Sequence, residues 1–99
     1  MRLFHITTER AWVEAQALGE YRAGSLSSEG FVHLSTEEQW PRTAQRFFRG
    51  QTGLLLLSIL RERLTAEVKF EAADGESFPH LYGALNLDAV TEVVPLPVP

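Results

Sequence analysis

Hydrophobic and polar positions alternate with two different periods along the chain, and these periods predict strands and helices in turn. Residues 2–6 alternate with the two-residue period of a strand, in which successive side chains point to opposite faces. Apolar residues then recur at helical spacing, which predicts a helix capped by Thr7 or Thr8 and running to about Leu18. Gly19 is the expected stop. The chain therefore opens with a strand followed by an amphipathic helix.

A second strand-then-helix unit is predicted from Phe31 onward. Phe31 to Leu34 has the β-branched and aromatic character of a strand, with Phe31 and His33 on the same face. Ser35 and Thr36 are predicted to be helix caps, because each is followed three residues later by Glu or Gln. His33 is thus expected near a strand end, beside two hydroxyls and a helix start. Such a corner can receive a phosphate, a carboxylate or a ribose.

The second helix is predicted over residues 37–49, with its regular part starting near Pro41 because proline fits only the first helical turn. Its predicted core stripe combines one small and three aromatic side chains: Trp40, Ala44, Phe47 and Phe48. The connection over residues 20–29 has no clear period and is predicted to be a polar loop carrying Tyr21.

The second half of the chain predicts strands in succession. Residues 54–60 are apolar on both faces, which predicts a central strand covered on both sides. Residues 67–72 alternate as a strand and lead into the turn signal Asp74-Gly75. Residues 78–83 are interpreted as a rigid segment, and residues 90–96 as a last strand at a sheet edge. One helical turn is expected at Leu87 to Ala89.

Early helices followed by consecutive strands predict an α+β fold. We expect two helices from the N-terminal half to pack on a mixed, mainly antiparallel sheet. With 99 residues, of which 44% are hydrophobic, the chain is expected to form a single domain over residues 1–99.

Composition and charge narrow the classes of function. The chain has no cysteine, which excludes disulfides and thiolate chemistry. Its longest apolar run is too short for a membrane span and no export signal is evident, so a cytoplasmic location is expected. The net charge of −4 does not favour nucleic acid as a partner. A local cluster of arginines is interpreted as a solvated face, although it can meet an anion: Arg42, Arg46, Arg49, Arg61 and Arg63.

All three histidines, His5, His33 and His80, fall at strand or loop positions near strand ends. One interpretation pairs a histidine with Glu71 for acid–base chemistry, with Tyr82 close by. Another uses the three histidines as zinc ligands with an open position, although no short ligand spacing is present. The simplest alternative is a half-buried histidine ahead of an ordinary helix cap.

A set of short motifs spread over the whole chain resembles the bacterial domain-of-unknown-function family 952. The motifs that support this resemblance are Phe4-His5-Ile6-Thr7, Trp12, Gly30 to Thr36, Gln39, Phe47 and Phe78 to Gly83. Two of them also resemble, more distantly, segments of ADP-ribosyltransferase-like domains. The first, Phe4-His5-Ile6-Thr7, is similar to the aromatic-His-Gly-Thr motif of their first strand. The second, residues 32–35, is similar to a segment of NAD-dependent RNA 2′-phosphotransferases, which belong to the same superfamily.

The distant resemblance implies a pocket for NAD or a related nucleotide, with cleavage or transfer of ADP-ribose. It implies His5, His33 and Glu71 as catalytic residues, Glu71 by its order in the chain. The expected nucleotide-binding residues are His5, Thr7, Tyr21, His33, Ser35, His80 and Tyr82. Transfer of an RNA 2′-phosphate is not implied, because the arginines of those enzymes have no counterpart here. The rival hypotheses are a non-catalytic module that binds a nucleotide, small anion or protein, and a histidine-ligated metal hydrolase.

Overall fold

Eight strands, three helices and two single 3-10 turns make up the computed structural model, which describes residues 1–99. The strands are β1 (Arg2–Thr8), β2 (Glu20–Tyr21), β3 (Val32–His33), β4 (Leu54–Leu60), β5 (Glu67–Ala73), β6 (Glu76–Tyr82), β7 (Leu85–Asn86) and β8 (Val90–Leu96). The helices are α1 (Glu9–Leu18), α2 (Gly24–Ser28) and α3 (Trp40–Phe47), and the 3-10 turns are Arg61–Arg63 and Leu87–Ala89. None of the helices has the length and apolar character needed to cross a bilayer.

The strands form three small antiparallel sheets, which confirms the predicted α+β class. One sheet has the order β1-β4-β8, a second has the order β3-β6-β5, and β2 pairs with β7. The last strand, β8, lies at an edge as predicted. The hairpin from β5 to β6 turns at Asp74 and Gly75, both with positive φ, as the Asp-Gly pair predicts.

Strand β4 is the centre of its sheet and is covered on both faces, as its continuous apolar run predicts. Leu57 and Ile59 on one face belong to the larger core cluster, beneath α1 and the β3-β6-β5 sheet. Leu54 and Leu56 on the other face pack with Ala44 of α3 in a second cluster. The sheet is therefore enclosed between α3 on one side and the second sheet with α1 on the other.

The first helix follows its sequence signals closely. Thr8 is its N-cap, and the Thr8 hydroxyl accepts a hydrogen bond from the Ala11 N–H at 3.0 Å. Gly19 closes the helix with φ 94°, a left-handed conformation that glycine adopts without steric cost. The predicted boundaries of this helix are confirmed.

The second predicted helix is shorter than the pattern indicated. It covers Trp40–Phe47 and starts beside Pro41, after a turn that ends at Gln39, as the proline predicts. Only half of a capping box forms ahead of it. The Gln39 side-chain oxygen accepts a hydrogen bond of 3.0 Å from the Thr36 N–H, but the Thr36 hydroxyl accepts none in return. The prediction of Phe47 as a core residue is wrong, because Phe47 is 60% exposed.

Three other predictions are wrong, at segments that contact parts of the chain distant in sequence. Residues 20–29 contain β2 and the short helix α2 rather than a plain loop. Ser35 does not cap a helix; it bridges to Phe4 of β1. Residues 78–82 belong to β6, the central strand of its sheet, although Pro79 weakens the sequence signal for a strand. The Pro79 carbonyl still accepts the Leu34 N–H at 3.0 Å.

Candidate functional site

The two three-stranded sheets meet just after β3, and a cavity opens at this junction. Phe4 and Ser35 exchange two backbone hydrogen bonds of 2.8 Å, which tie the chain leaving β3 to β1. The cavity has a volume of about 570 Å³, within the range of roughly 300–1,000 Å³ that small-molecule sites occupy. Its walls come from β1, β3, α3 and the β5–β6 hairpin.

The walls are mostly apolar and aromatic, with a few polar groups. Helix α3 supplies Thr43 and Phe47, followed by Phe48, and the hairpin supplies Phe78. No lysine or arginine lines this cavity. Four residues predicted for the site do line it: His5, His33, Ser35 and His80.

His80 is held by a carboxylate on the neighbouring strand. Its Nδ1–H donates to Oε1 of Glu71 at 2.7 Å, and the Tyr82 hydroxyl donates to the same oxygen at 2.5 Å. The hydrogen bonds from Tyr82 and His80 hold the pKa of the Glu71 carboxyl below its usual value. The hydrogen bond to Glu71 in turn raises the pKa of Tyr82. The carboxylate is therefore charged at neutral pH and sets the tautomer and orientation of the imidazole.

The other nitrogen of His80, Nε2, is left unpaired in a residue that lines the cavity. His80 lines the cavity although its side chain is only 9% exposed, and Nε2 makes no hydrogen bond within the protein. No buried side-chain nitrogen or oxygen is left without a partner, so Nε2 is accessible to solvent. With the proton on Nδ1, the neutral form of His80 has a lone pair on Nε2 that can accept a hydrogen bond.

Phe31 covers His80 and was not predicted as a site residue. Its ring stacks on the His80 ring with centroids 3.9 Å apart and planes 19° from parallel. The His33 ring meets the edge of Phe31 at 4.8 Å. The predicted shared face of Phe31 and His33 is the signal that could have included Phe31, because His33 pairs with His80 across β3 and β6.

His33 is the most accessible of the three histidines. Its Nε2 lies 2.9 Å from Oε2 of Glu29, and about half of each side chain is exposed to solvent. Glu29 also lines the cavity, and no sequence pattern singled it out. The pair places a polar, titratable group at the rim of the aromatic cavity.

His5 is buried and uses both ring nitrogens within the protein. Nδ1 lies 2.6 Å from the His33 carbonyl, which only accepts, so Nδ1 carries the proton. Nε2 accepts a hydrogen bond of 2.8 Å from the Tyr21 hydroxyl, and the same hydroxyl lies 3.0 Å from Oγ1 of Thr7. Burial lowers the pKa of His5 to about 4 and raises that of Tyr21. His5 therefore braces the cavity wall in its neutral form.

This arrangement predicts that His5 makes the protein less stable in acid. Because its folded-state pKa of about 4 lies below the usual 6.5, protonation favours the unfolded chain, and stability is lost as the pH falls from 6.5 towards 4. The pKa difference corresponds to about 3 kcal/mol at most. Urea unfolding across this range should show the loss, and His5→Gln should flatten it. An NMR titration in which His5 has an ordinary pKa would contradict the expectation.

The eight predicted site residues thus form two layers. His5, His33, Ser35 and His80 face the cavity, whereas Glu71 and Tyr82 support His80, and Thr7 and Tyr21 support His5. Glu71 does not line the cavity itself. No group of three or more histidine, aspartate or glutamate side chains is arranged to hold a metal ion.

Comparison with known proteins shows where this fold recurs. The family described as Protein of unknown function (DUF952) matches residues 6–93. The X-ray crystal structure of protein CC0527 from Caulobacter crescentus is similar with 36% identity and a TM-score of 0.91, covering 98% of this chain and 87% of that chain. The solution NMR structure of CC0527 is similar with 37% identity and a TM-score of 0.82, covering 96% and 84%. No curated protein matches.

Proposed function

The chain belongs to the DUF952 family of proteins of unknown function, and from its site we propose that the cavity binds NAD or a related nucleotide, with His80 acting at the ribose. The observation that supports this most strongly is the state of His80. One nitrogen is fixed by Glu71, the other is unpaired and accessible to solvent, and the residue lines an aromatic cavity. A histidine oriented in this way suits the role of a general base.

The chemistry of the walls fits one end of a nucleotide. Aromatic and apolar side chains can stack on a flat heterocycle, and Phe31, Phe47 and Phe78 supply such surfaces. Sugar hydroxyls require hydrogen-bonding partners, and the side chains of His33, Ser35 and Thr43 offer them. NAD is favoured among nucleotides by the resemblance of the β1 and β3 motifs to ADP-ribosyltransferase-like domains.

In the proposed reaction, the bond between nicotinamide nitrogen and ribose carbon breaks, and its electron pair leaves with nicotinamide. An acceptor hydroxyl, or water, attacks the ribose carbon and gives its proton to Nε2 of His80. The charged Glu71 carboxylate stabilises the imidazolium that forms, because its Oε1 already accepts the Nδ1–H. His80 is the proposed catalytic residue, and Glu71 is a positioning residue.

A binding module without turnover is the second candidate, and the pairing of the carboxylates favours it. Glu29 and Asp74 line the cavity, but Glu29 bonds to His33 and Asp74 to Arg46. Glu71 reaches the cavity only through His80. No carboxylate is therefore free to face the positive charge that develops on a ribose during cleavage.

Titration of the protein with NAD tests the proposal and separates its two forms. We expect amide NMR shifts at Phe31, His33, Ser35 and His80, and none on the exposed face of α1 near Val13. Chromatography then measures whether nicotinamide is released from NAD. Release identifies an enzyme, and binding without release identifies a non-catalytic binding module. The absence of shifts at these four residues at millimolar NAD would contradict both forms.

A further inference from the structure

We propose that a groove beside the cavity binds the phosphate groups of the ligand, so that a nucleotide is held by two adjoining hollows. This rests on the proposed function for the identity of the nucleoside end. The groove has a volume of about 550 Å³ and adjoins the cavity, with which it shares four lining residues: Thr43, Phe47, Asp74 and Phe78. A single extended ligand can therefore occupy both hollows.

The two hollows differ sharply in chemistry. The cavity has no cationic side chain, whereas the groove is lined by Arg42, Arg46 and Arg49. Arg42 and Arg46 are one turn apart on α3, and Arg49 follows just beyond its end. The division into an aromatic compartment and a cationic one matches a nucleotide, in which a flat heterocycle is joined through a sugar to phosphate.

The charge balance of the groove is positive although the chain is acidic. Two carboxylates, Asp74 and Glu76, line it beside the three arginines, whereas the whole chain carries −4. The sequence interpretation of a solvated arginine face therefore describes only part of the arrangement. Arg61 and Arg63, from the same predicted cluster, do not line the groove.

The three arginines are available to an anion to different degrees. Arg42 donates two hydrogen bonds of 2.8 and 2.9 Å to the Glu76 carboxylate, so its guanidinium is already paired and is the least available to an anion. Arg46 pairs with Asp74 at 3.1 Å, but both side chains are more than half exposed. Exposed ion pairs are weak, and a phosphate can replace the carboxylate as partner. Arg49 is exposed and makes no hydrogen bond or ion pair within the protein.

Arg46 also connects the two hollows. Its guanidinium lies 5.1 Å from the centre of the Phe47 ring, and Phe47 and Asp74 line both hollows. A phosphate bound at Arg46 would therefore lie next to the aromatic compartment. Guanidinium groups bind phosphate oxygens in a fork geometry, which suits the diphosphate of a dinucleotide.

The experiment compares nicotinamide riboside, nicotinamide mononucleotide and NAD by calorimetry at low salt, together with inorganic pyrophosphate followed by NMR. We expect the phosphorylated ligands to bind about tenfold or more tightly than the riboside, the gain that one charge-assisted hydrogen bond gives. Pyrophosphate alone should shift the amides of residues 42–49. In a variant with Arg46→Gln and Arg49→Gln, the phosphate advantage should disappear while riboside affinity is retained.

Arg10→Gln is the matched control, because it removes one charge from an arginine on α1 that is 92% exposed. It should leave the phosphate advantage in place. Equal affinity for riboside and NAD, or a pyrophosphate titration without shifts at residues 42–49, would overturn the inference. If pyrophosphate binds at the groove and no nicotinamide ligand enters the cavity, the anion site stands and the proposed function fails.

Discussion

Under the proposed reaction, replacing His80 by glutamine is expected to lower nicotinamide release from NAD about 100- to 10,000-fold, the usual contribution of a general base. Glutamine keeps a polar side chain of similar length but cannot take up a proton. NAD affinity should change much less, because Phe31, His33 and Ser35 still line the cavity. Steady-state kinetics then show a fall in kcat with little change in KM, the sign of an interaction made mainly in the transition state.

Glu71→Gln is the companion variant, because it removes the charge behind His80 and leaves the cavity lining unchanged. We expect a smaller fall in kcat than for His80→Gln, with KM retained. A double variant should be little worse than His80→Gln alone, since the two residues act as a unit. If His80→Gln turns over NAD at the wild-type rate and unfolds at the wild-type temperature, His80 is not the base.

Replacing Leu57 by alanine is expected to reduce the free energy of unfolding by about 2–5 kcal/mol, the range for a buried leucine truncated to alanine. Leu57 is completely buried in the central strand β4, opposite His5 in the β1 pairing. Domains of this size are stable by only about 5–15 kcal/mol, so the loss is a large share of the total. Urea unfolding measures it through the shift of the midpoint.

Leu18→Ala is the matched control for this substitution. Leu18 is 65% exposed in the last turn of α1, so the same chemical change removes little buried surface. The control should stay within about 0.5 kcal/mol of the wild type. A loss at Leu57 no larger than the loss at Leu18 would show that the cluster around β4 is not the stabilising core.

The sequence predicted which residues belong to the candidate site better than it predicted how they contact one another. The motifs pointed to His5, His33, Ser35 and His80, and all four line one cavity. Their roles were not visible in the sequence, since it does not indicate that Tyr21 and the His33 carbonyl occupy both nitrogens of His5. The stacking of Phe31 on His80 needed the structure, because it follows from the pairing of β3 with β6. Glu29 lies only four residues before His33, but no sequence pattern marked that contact.

The sequence by itself determined the caps, turns and buried strands of this protein, because each depends on a few neighbouring residues. The Thr8 cap, the Gly19 stop, the apolar run of β4 and the Asp74-Gly75 turn each depend on backbone preferences within one or two turns of chain. These signals were sufficient for the α+β class and for the bounds of α1, β4 and β8.

Tertiary structure alone decided which residues meet. The pairing of β2 with β7, the bridge from Ser35 to Phe4 and the strand around Pro79 all join segments distant in sequence, where no local period reports the partner. The same long-range packing turned His80 towards the cavity and Glu71 towards His80. A side chain's chemistry is set by its type, but its protonation and accessibility are set by the neighbours that folding brings to it.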